Sequence, residues 1–484
     1  MKTKTTWSTY SRERLAELET FTSEYRAFIS ENKTERECVA SMVSLAREAG
    51  YRSLEELRET GTPLAPGDKV YRVNHGKTLM LMQLGTEPLE RGLNILGGHI
   101  DSPRLDVKQN PLDVTKEQAT LDLHYYGGVK KYQWLATPLA IHGVVVKTSG
   151  ETVTVRIGED PSDPVFCITD LLPHLASAQM EKKAKELIEG EKLDLLVGNR
   201  PAMASADGAE GASDTVLAVG EGGGKGDTPS PDDAVRANVL RLLAEQLGVE
   251  ERDFLSAELE VVPAGPARDL GFDRSMILGY GQDDRVCSYP SLRAQLACEA
   301  PVRTSCTLLV DKEEIGSRGA TSMASNFFED TVAEVMELAG EGGFLALRRC
   351  LANSRMLSSD VSAGFDPKFA DVFEESSACF LGHGVTINKY IGSGGKFGSN
   401  DADAEYVAEV MRALDDARVA YQTAELGKVD AGGGGTIAHI LAVYGMRVID
   451  CGLPVLSMHA PWEVVSKADV YEAYRGYRAF LGLA

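Results

Sequence analysis

The stretch LNILGGHIDSP (93–103) is an apolar run that ends in a histidine and an aspartate. A second apolar run, TLMLMQLG (78–85), precedes it, and both have the length and composition of buried β-strands. A third, TSCTLLVDKEE (304–314), ends in two glutamates. Continuous apolar strands of this kind are typical of sheets that are covered on both faces. The three runs therefore predict an α/β fold with polar residues collected where the strands end.

Helical patterns alternate with these strands. Apolar residues spaced three or four apart predict an amphipathic helix over 11–30 and a second one that ends near Gly50. Later in the chain, 325–340 and 401–419 have helical patterns, and MRVIDCGLP (446–454) has the pattern of another strand. This alternation predicts one α/β domain formed by residues 1–104 and 265–484.

Residues 105–264 have a different residue pattern, rich in short β-type runs, and are predicted to form an inserted, mostly β domain. The insertion contains the β-rich runs ATLDLHYY, LAIHGVVV and ETVTVRIG, together with one charged run, AQMEKKAKELIEGEK (178–192), that has a helical composition. Residues 198–231 are rich in Gly, Ala, Ser, Asp and Pro and have few large apolar side chains. Their composition predicts a flexible surface loop within the insertion.

The composition excludes several classes of protein. The 484 residues carry a formal net charge of −22, and a field of that sign disfavours nucleic acid and anionic membrane surfaces as partners. The sequence has no apolar run of the roughly 18 residues that a membrane span needs, and its basic N-terminus lacks the apolar core of a secretory signal. The eight cysteines are scattered, which is typical of reduced thiols. We therefore expect a cytoplasmic protein.

Metal ligands are expected among the polar residues at strand ends. His99 and Asp101 are two residues apart, so both side chains can project to one side, with Asp101 holding the imidazole of His99. A strand-end turn capped by Asp101 would have the same pattern. A turn could bring Glu313 and Glu314 into one cavity, one as a metal ligand and the other as a general base. An exposed strand edge is the more common meaning of two adjacent glutamates.

Three further motifs add candidate ligands. Asp283 and Asp284 stand together in GYGQDDRVCSY, Asp360 follows an apolar run, and His459 lies just past the strand at 446–454. Taken singly, each also fits a structural role, such as a helix N-cap for the aspartate pair. Together the motifs supply two histidines and several carboxylates near strand ends. That set suits two zinc ions that share a bridging carboxylate.

Five of these motifs occur in an order that resembles a known family. GGHIDSPRLDVK, GYGQDDRVCSY, DKEEIGSRGA, SSDVSAG and LSMHAPWE follow one another as in aspartyl aminopeptidases and vacuolar aminopeptidase I, and the chain is most similar to the bacterial branch. These proteins are cocatalytic zinc exopeptidases. The resemblance implies a mixed sheet of the zinc-exopeptidase type, covered by helices on both faces. It also implies a metallo-aminopeptidase that removes the N-terminal residue from peptides with a free N-terminus.

The resemblance also implies a role for each motif residue. It implies two Zn²⁺ per subunit, which Co²⁺ or Mn²⁺ could replace, with a metal-bridging water as the nucleophile. The implied ligands are His99, Asp283 and Asp360 for one ion, and Asp283, Glu314 and His459 for the other. Glu313 matches the general base and Asp101 the carboxylate behind His99. A cis peptide bond after Asp283 is implied as well.

The inserted domain is implied to build the assembly. In the family that the chain resembles, this domain forms a homo-dodecamer, and exposed strand edges of such a domain are often covered by a partner. The histidine of the PHL motif, His174 here, is implied to reach into the active site of a neighbouring subunit. An isolated surface or turn histidine is the alternative interpretation.

Two departures from the aspartyl-selective members affect the expected substrate. VSAGFDP (361–367), after Asp360, contains no histidine. Where the aspartyl-selective members have a K-x-x-x-N-Q-R-Y pattern, KYIGSGGKF (389–397) has only Lys389 and, farther on, Lys396. We therefore expect neutral or basic N-terminal residues to be cleaved at least as well as Asp or Glu. Two other functions stay open from the sequence: a dinuclear amidohydrolase that acts on non-peptide amides, and a non-catalytic assembly protein.

Overall fold

The computed structural model describes residues 5–202 and 230–484. The chain divides into two compact units, one formed by Met1–Ser102 and Pro266–Ala484, the other by Pro103–Gly265. Most of the flexible loop predicted at 198–231 lies outside the described residues. At its borders, Gly198 ends a strand and Pro231 begins a helix.

Short strands and medium-length helices alternate along the chain. The strands of the described residues are β1 (Arg52–Ser53), β2 (Lys69–Asn74), β3 (Thr78–Gln83), β4 (Asn94–His99), β5 (Arg104–Thr115), β6 (Gln118–Tyr126), β7 (Leu139–Val146), β8 (Thr152–Ile157), β9 (Asp194–Gly198), β10 (Ala257–Pro263), β11 (Arg268–Leu270), β12 (Met276–Gly279), β13 (Ser305–Val310), β14 (Arg355–Ser358), β15 (Ser362–Ala363), β16 (Val385–Asn388), β17 (Tyr421–Thr423), β18 (Arg447–Gly452), β19 (Pro454–Val455) and β20 (Glu463–Ser466). The α-helices of the same residues are α1 (Arg12–Glu31), α2 (Glu35–Glu48), α3 (Leu54–Thr60), α4 (Ser177–Met180), α5 (Pro231–Leu247), α6 (Gln282–Leu296), α7 (Phe327–Leu338), α8 (Phe344–Asn353), α9 (Ala404–Asp416), α10 (Ala438–Ala442) and α11 (Lys467–Leu481).

The first unit is built on a nine-stranded mixed sheet. Its strand order is β1-β2-β3-β13-β4-β14-β18-β16-β17. The central strands β13, β4, β14 and β18 are parallel to one another, whereas β3 and β16 run antiparallel to their neighbours β13 and β18. The α/β class predicted from the apolar runs is confirmed.

Alternate residues of the central strands pack into two separate cores. On β3, Leu79 and Leu81 belong to one core, and Met80 and Met82 belong to the other. Helices α1, α2, α6, α9 and α11 supply residues to the first core, and helices α3, α7, α8 and α10 supply residues to the second. Because successive side chains of a strand point to opposite faces, this division places helices on both sides of the sheet, as the sequence predicts.

The second unit is mostly β. Six strands in the described part of this unit form an antiparallel sheet in the order β8-β7-β10-β5-β6-β9, and α5 contacts β5, β6 and β9. The helix predicted over 178–192 is wrong. The run contains only the end of α4 and two single 3-10 turns, and most of its side chains are exposed. Without an apolar stripe to bury, a segment of this length does not hold a helix.

Two features bear on the exclusions made from composition. All eight cysteines are free thiols. Among the described residues, none of the helices combines the length and the apolar character that crossing a membrane requires.

Candidate metal centre

Three of the predicted ligand motifs meet at one edge of the nine-stranded sheet. Strand β4 is parallel to both β13 and β14, so the carboxyl ends of the three strands lie side by side. His99 is the last residue of β4, Glu313 and Glu314 form a 3-10 turn just after β13, and Asp360 closely follows β14. The topology therefore brings a histidine and three carboxylates together at the position expected for an α/β site.

The small sheet β11-β12-β20 supplies the remaining two predicted ligands. Asp283 follows β12 and His459 precedes β20, and these two strands pair antiparallel, with Gly279 opposite Glu463. This pairing holds the chain segments of Asp283 and His459 next to each other. His459 itself has a φ of 64°, in the left-handed region, so the short turn before β20 sets its direction.

Asp283 lies between the two histidines. Its Oδ1 is 3.3 Å from Nε2 of His99, and its Oδ2 is 3.1 Å from Nε2 of His459. Each imidazole also faces a second carboxylate, with Asp360 at 3.8 Å from His99 and Glu314 at 3.5 Å from His459. A carboxylate that offers one oxygen to each of two imidazole sites has the arrangement of a ligand shared between two metal ions.

Asp284 also lies close to His99. His99, Asp283 and Glu314 offer ligand atoms that lie within 4.8 Å of one another, and so do His99, Asp284 and Asp360. The backbone N–H of His99 donates to Oδ2 of Asp284 at 3.3 Å, which places Asp284 beside the main chain of the histidine. The peptide bond between Asp283 and Asp284 is cis, as the resemblance implied.

Asp101 contacts residues at the carboxyl ends of two strands, His99 of β4 and the glutamates that follow β13. Its two carboxylate oxygens accept the backbone N–H groups of Glu313 and Glu314, each at 3.2 Å. Nδ1 of His99 lies 3.0 Å from the backbone oxygen of Asp101 and 3.4 Å from Oδ1. Asp101 therefore orients the imidazole and also fixes the turn that carries both glutamates.

Burial and nearby charges raise the pKa of several of these groups. Burial raises the pKa of Glu313 to about 8, and the nearby carboxylates of Asp360 and Asp101 act in the same direction. The pKa of Glu314 is raised well above its usual value, first by burial and then by Asp283. Burial alone would lower the pKa of His99, but hydrogen bonds to Asp101, Asp283 and Asp360 outweigh it and raise the pKa.

Asp283 differs from the other carboxylates of the site. Burial opposes its ionisation, but hydrogen bonds from His459 and His99 outweigh burial and hold the pKa of Asp283 below its usual range. The two imidazoles therefore favour the charged form of Asp283.

The donor set fits divalent zinc. Oε1 of Glu314 is buried and has no hydrogen-bond partner among the described residues, as expected of an atom that is reserved for a metal. Carboxylates outnumber the imidazoles in the cluster, so a cation would relieve an unbalanced negative charge. Nitrogen and oxygen donors of this kind are ordinary zinc ligands.

Glu463 also belongs to this region, and the sequence motifs do not predict it. Its side chain is 1% exposed and accepts the backbone N–H groups of Gln282, Asp283 and His459. Its only signal in the sequence is its place four residues after His459 in LSMHAPWE.

His174 belongs to the other unit. It lies in a 3-10 turn, Pro173–Leu175, and its side chain is exposed. Leu171, Leu172 and Leu175 around it are exposed as well, Leu175 by 68%. The structure thus presents His174 on an apolar stretch of the inserted unit's surface.

Known proteins resemble the chain over nearly its whole length. A family model described as aminopeptidase I zinc metalloprotease (M18) matches residues 28–481. A probable M18 family aminopeptidase 1 of Clostridium acetobutylicum is 52% identical, over 99% of this chain and 98% of that protein. The crystal structure of an M18-family aminopeptidase from Thermotoga maritima matches with a TM-score of 0.89 at 41% identity, covering 99% of both chains. The fold is also that of the mApe1 dodecamer of S. cerevisiae, with a TM-score of 0.73 at 22% identity over 95% of both chains.

Proposed function

The chain belongs to the aminopeptidase I zinc metalloprotease (M18) family and is a metallo-aminopeptidase, and we propose that it works through two Zn²⁺ ions per subunit. The observation that carries this proposal is the position of Asp283, whose two carboxylate oxygens face the imidazoles of His99 and His459. One zinc would be held by His99, Asp283 and Asp360. The other would be held by Asp283, Glu314 and His459.

Glu313 is the general base of the proposed mechanism. Bound zinc would supply Lewis acidity that polarises the scissile carbonyl and lowers the pKa of water. Glu313 accepts the proton of the attacking water and then returns it to the leaving amine. Burial raises the pKa of Glu313 to about 8 in the metal-free protein, and the positive charge of bound zinc would lower it, which leaves an ionised carboxylate that can accept a proton near neutral pH. Asp101 fixes the turn from which Glu313 projects.

The substrates are peptides with a free N-terminus, whose α-amine would bind near the second zinc and the surrounding carboxylates. We propose that neutral or basic N-terminal residues are cleaved at least as well as acidic ones. Of the two lysines in KYIGSGGKF, Lys396 already pairs with Asp401 at 3.1 Å and lies 3.7 Å over the ring of Tyr390. A cation that is engaged in this way is a poor receptor for an acidic side chain.

The inserted unit is proposed to build a closed homo-oligomer, a dodecamer like that of the yeast protein. Leu172, Leu175 and Met180 expose 49%, 68% and 74% of their surface on one short segment, and apolar stretches of this kind mark protein contacts. We propose that such a contact carries His174 into the active site of a neighbouring subunit. The eight free thiols support a cytoplasmic location.

A metal assay combined with a panel of aminoacyl-anilides tests the proposed function. We expect two zinc ions per subunit, hydrolysis of unblocked substrates and loss of activity when the metal is chelated. The same anilides with acetylated α-amines serve as the control and should resist cleavage. Equal cleavage of blocked and free substrates would indicate a general amidohydrolase, and metal-free protein without hydrolysis would indicate an assembly protein. A strong preference for Asp- or Glu-anilide would contradict the proposed substrate range.

A further inference from the structure

Glu463 contacts the main chain at two of the proposed ligands. Its Oε1 accepts the backbone N–H of His459 at 2.7 Å. Its Oε2 accepts the backbone N–H groups of Gln282 at 2.6 Å and Asp283 at 3.1 Å. One buried carboxylate thus ties together two segments that are 180 residues apart in the sequence.

The strand register explains why this side chain reaches both segments. Glu463 is the first residue of β20 and pairs with Gly279, the last residue of β12. The chain leaves β12 toward Asp283 and arrives at β20 from His459, so the two ligand segments flank this one residue pair. The side chain of Gln282 adds a second tie, because its Nε2 donates to the backbone oxygen of Glu463 at 2.6 Å.

The turn before β20 needs such a support. Ser457 and His459 have φ values of 58° and 64°, in the left-handed region that non-glycine residues rarely adopt. The turn is closed at its base by hydrogen bonds between Leu456 and Val464. Within this closed turn, the hydrogen bond from the backbone N–H of His459 to Glu463 fixes the position of the His459 main chain, from which the imidazole projects.

From this geometry we infer that Glu463 is a positioning residue that sets the spacing between Asp283 and His459 in the second zinc site. The inference rests on the proposed function, since it concerns the zinc held by Asp283, Glu314 and His459. The hydrogen bonds described above join the carboxylate of Glu463 to main-chain N–H groups of the two ligand segments. Its effect is therefore expected in zinc affinity rather than in the proton transfer of Glu313.

Asp469 provides a matched control. It is also a fully buried carboxylate, and its two oxygens accept the backbone N–H groups of Gly382 and Gly384, both at 2.7 Å. Neither of these glycines is a proposed ligand. Substituting Asp469 therefore measures how much stability the fold loses when a buried carboxylate loses its hydrogen bonds to backbone N–H groups.

The experiment compares Glu463→Gln with Asp469→Asn in the full chain. Glutamine keeps one acceptor oxygen but places an NH₂ group against either His459 or Asp283, and both of these hold the second zinc. We expect the affinity for the second zinc, measured by competition with a chelator, to fall about 10- to 100-fold in Glu463→Gln, the usual effect of removing a group that supports a ligand. Asp469→Asn should bind both ions like the wild type, while thermal unfolding of the metal-free proteins shows a comparable loss in both variants.

Three results would overturn the inference. The first is wild-type zinc affinity in Glu463→Gln, and the second is an equal loss of affinity in Asp469→Asn. The third applies if Glu463→Gln does not fold, and it is wild-type affinity in Glu463→Asp, the variant with a shorter carboxylate side chain. If the wild-type protein itself takes up no second zinc, the proposed function fails and the inference fails with it. Wild-type protein with two zinc ions and an unaffected Glu463→Gln variant overturns the inference alone.

Discussion

The Oδ1 atom of Asp101 accepts the backbone N–H of Glu313 at 3.2 Å. The same carboxylate lies 3.4 Å from Nδ1 of His99, so one side chain orients a proposed ligand and the proposed base. The turn that carries Glu313 is thus held through a main-chain N–H group. The carboxylate of Glu313 can change without altering the turn that carries it.

Glu313→Gln should abolish most of the activity and leave the metal in place. Glutamine keeps the shape of the side chain and the backbone contact to Asp101 but cannot accept the proton of water. We expect kcat to fall by about 10²–10⁴-fold, the usual contribution of a general base. Zinc content, measured on the purified variant, should equal that of the wild type.

Glu314→Gln is the matched control for that variant. It changes the neighbouring residue of the same turn, and we expect it to lose one zinc ion together with activity. Loss of both ions from Glu313→Gln would show that Glu313 is a ligand and would refute its assignment as the base.

Removal of Asp283 should cost both metal ions, whereas removal of His459 should cost mainly one. The reason is that Asp283 offers an oxygen to each imidazole site, and His459 belongs to only one of them. Metal analysis of Asp283→Ala and His459→Ala, dialysed side by side, measures the difference. The same metal content in both variants would argue against a shared carboxylate.

Zinc binding should release protons and strengthen as the pH rises. In the metal-free protein the pKa of Glu313 is about 8, that of Glu314 is well above its usual value, and that of His99 is raised. Zinc ligands bind in their deprotonated form, so zinc should displace protons from Glu314 and His99, and its affinity should rise as the pH is raised. Calorimetric titrations in two buffers of different ionisation enthalpy measure the release. Identical heats in the two buffers would contradict the prediction.

The sequence predicts several of the residues that the structure brings together, because they end or follow apolar strands. His99, Glu314 and Asp360 end or follow strands whose burial is evident from composition alone, and parallel neighbours place strand ends together. Glu463 could not be found in this way. It begins a strand, and its function depends on main-chain N–H groups of the distant residues Gln282 and Asp283, which have no signature in the sequence.

Local patterns were least informative in the inserted unit. The charged run 178–192 has helix-forming residues, but most of its side chains are exposed, so tertiary packing does not hold it as a helix. Helix α5 was missed because the segment before it, rich in Gly and Ser, directed the interpretation toward a loop. The helix nevertheless begins with a capping box between Ser230 and Asp233, which is a recognisable signal.

The remaining prediction concerns assembly and His174. We expect scattering or sedimentation to show a large closed homo-oligomer. His174→Ala should lower kcat by about 10²–10³-fold if the imidazole supports the oxyanion of a neighbouring site. His124→Ala, which removes another exposed histidine of the same unit, is the matched control and should retain activity.

Mixing two inactive variants tests whether His174 acts across a subunit contact. Subunits with His174→Ala keep Glu313, and subunits with Glu313→Gln keep His174. If the histidine reaches a neighbour, some sites in mixed oligomers regain both groups, because the Glu313 of one subunit meets the His174 of the next. Activity should then rise well above that of either variant alone as the subunits exchange. If exchange is demonstrated by labelled subunits and activity stays at the level of the separate variants, the histidine acts within its own subunit or not at all.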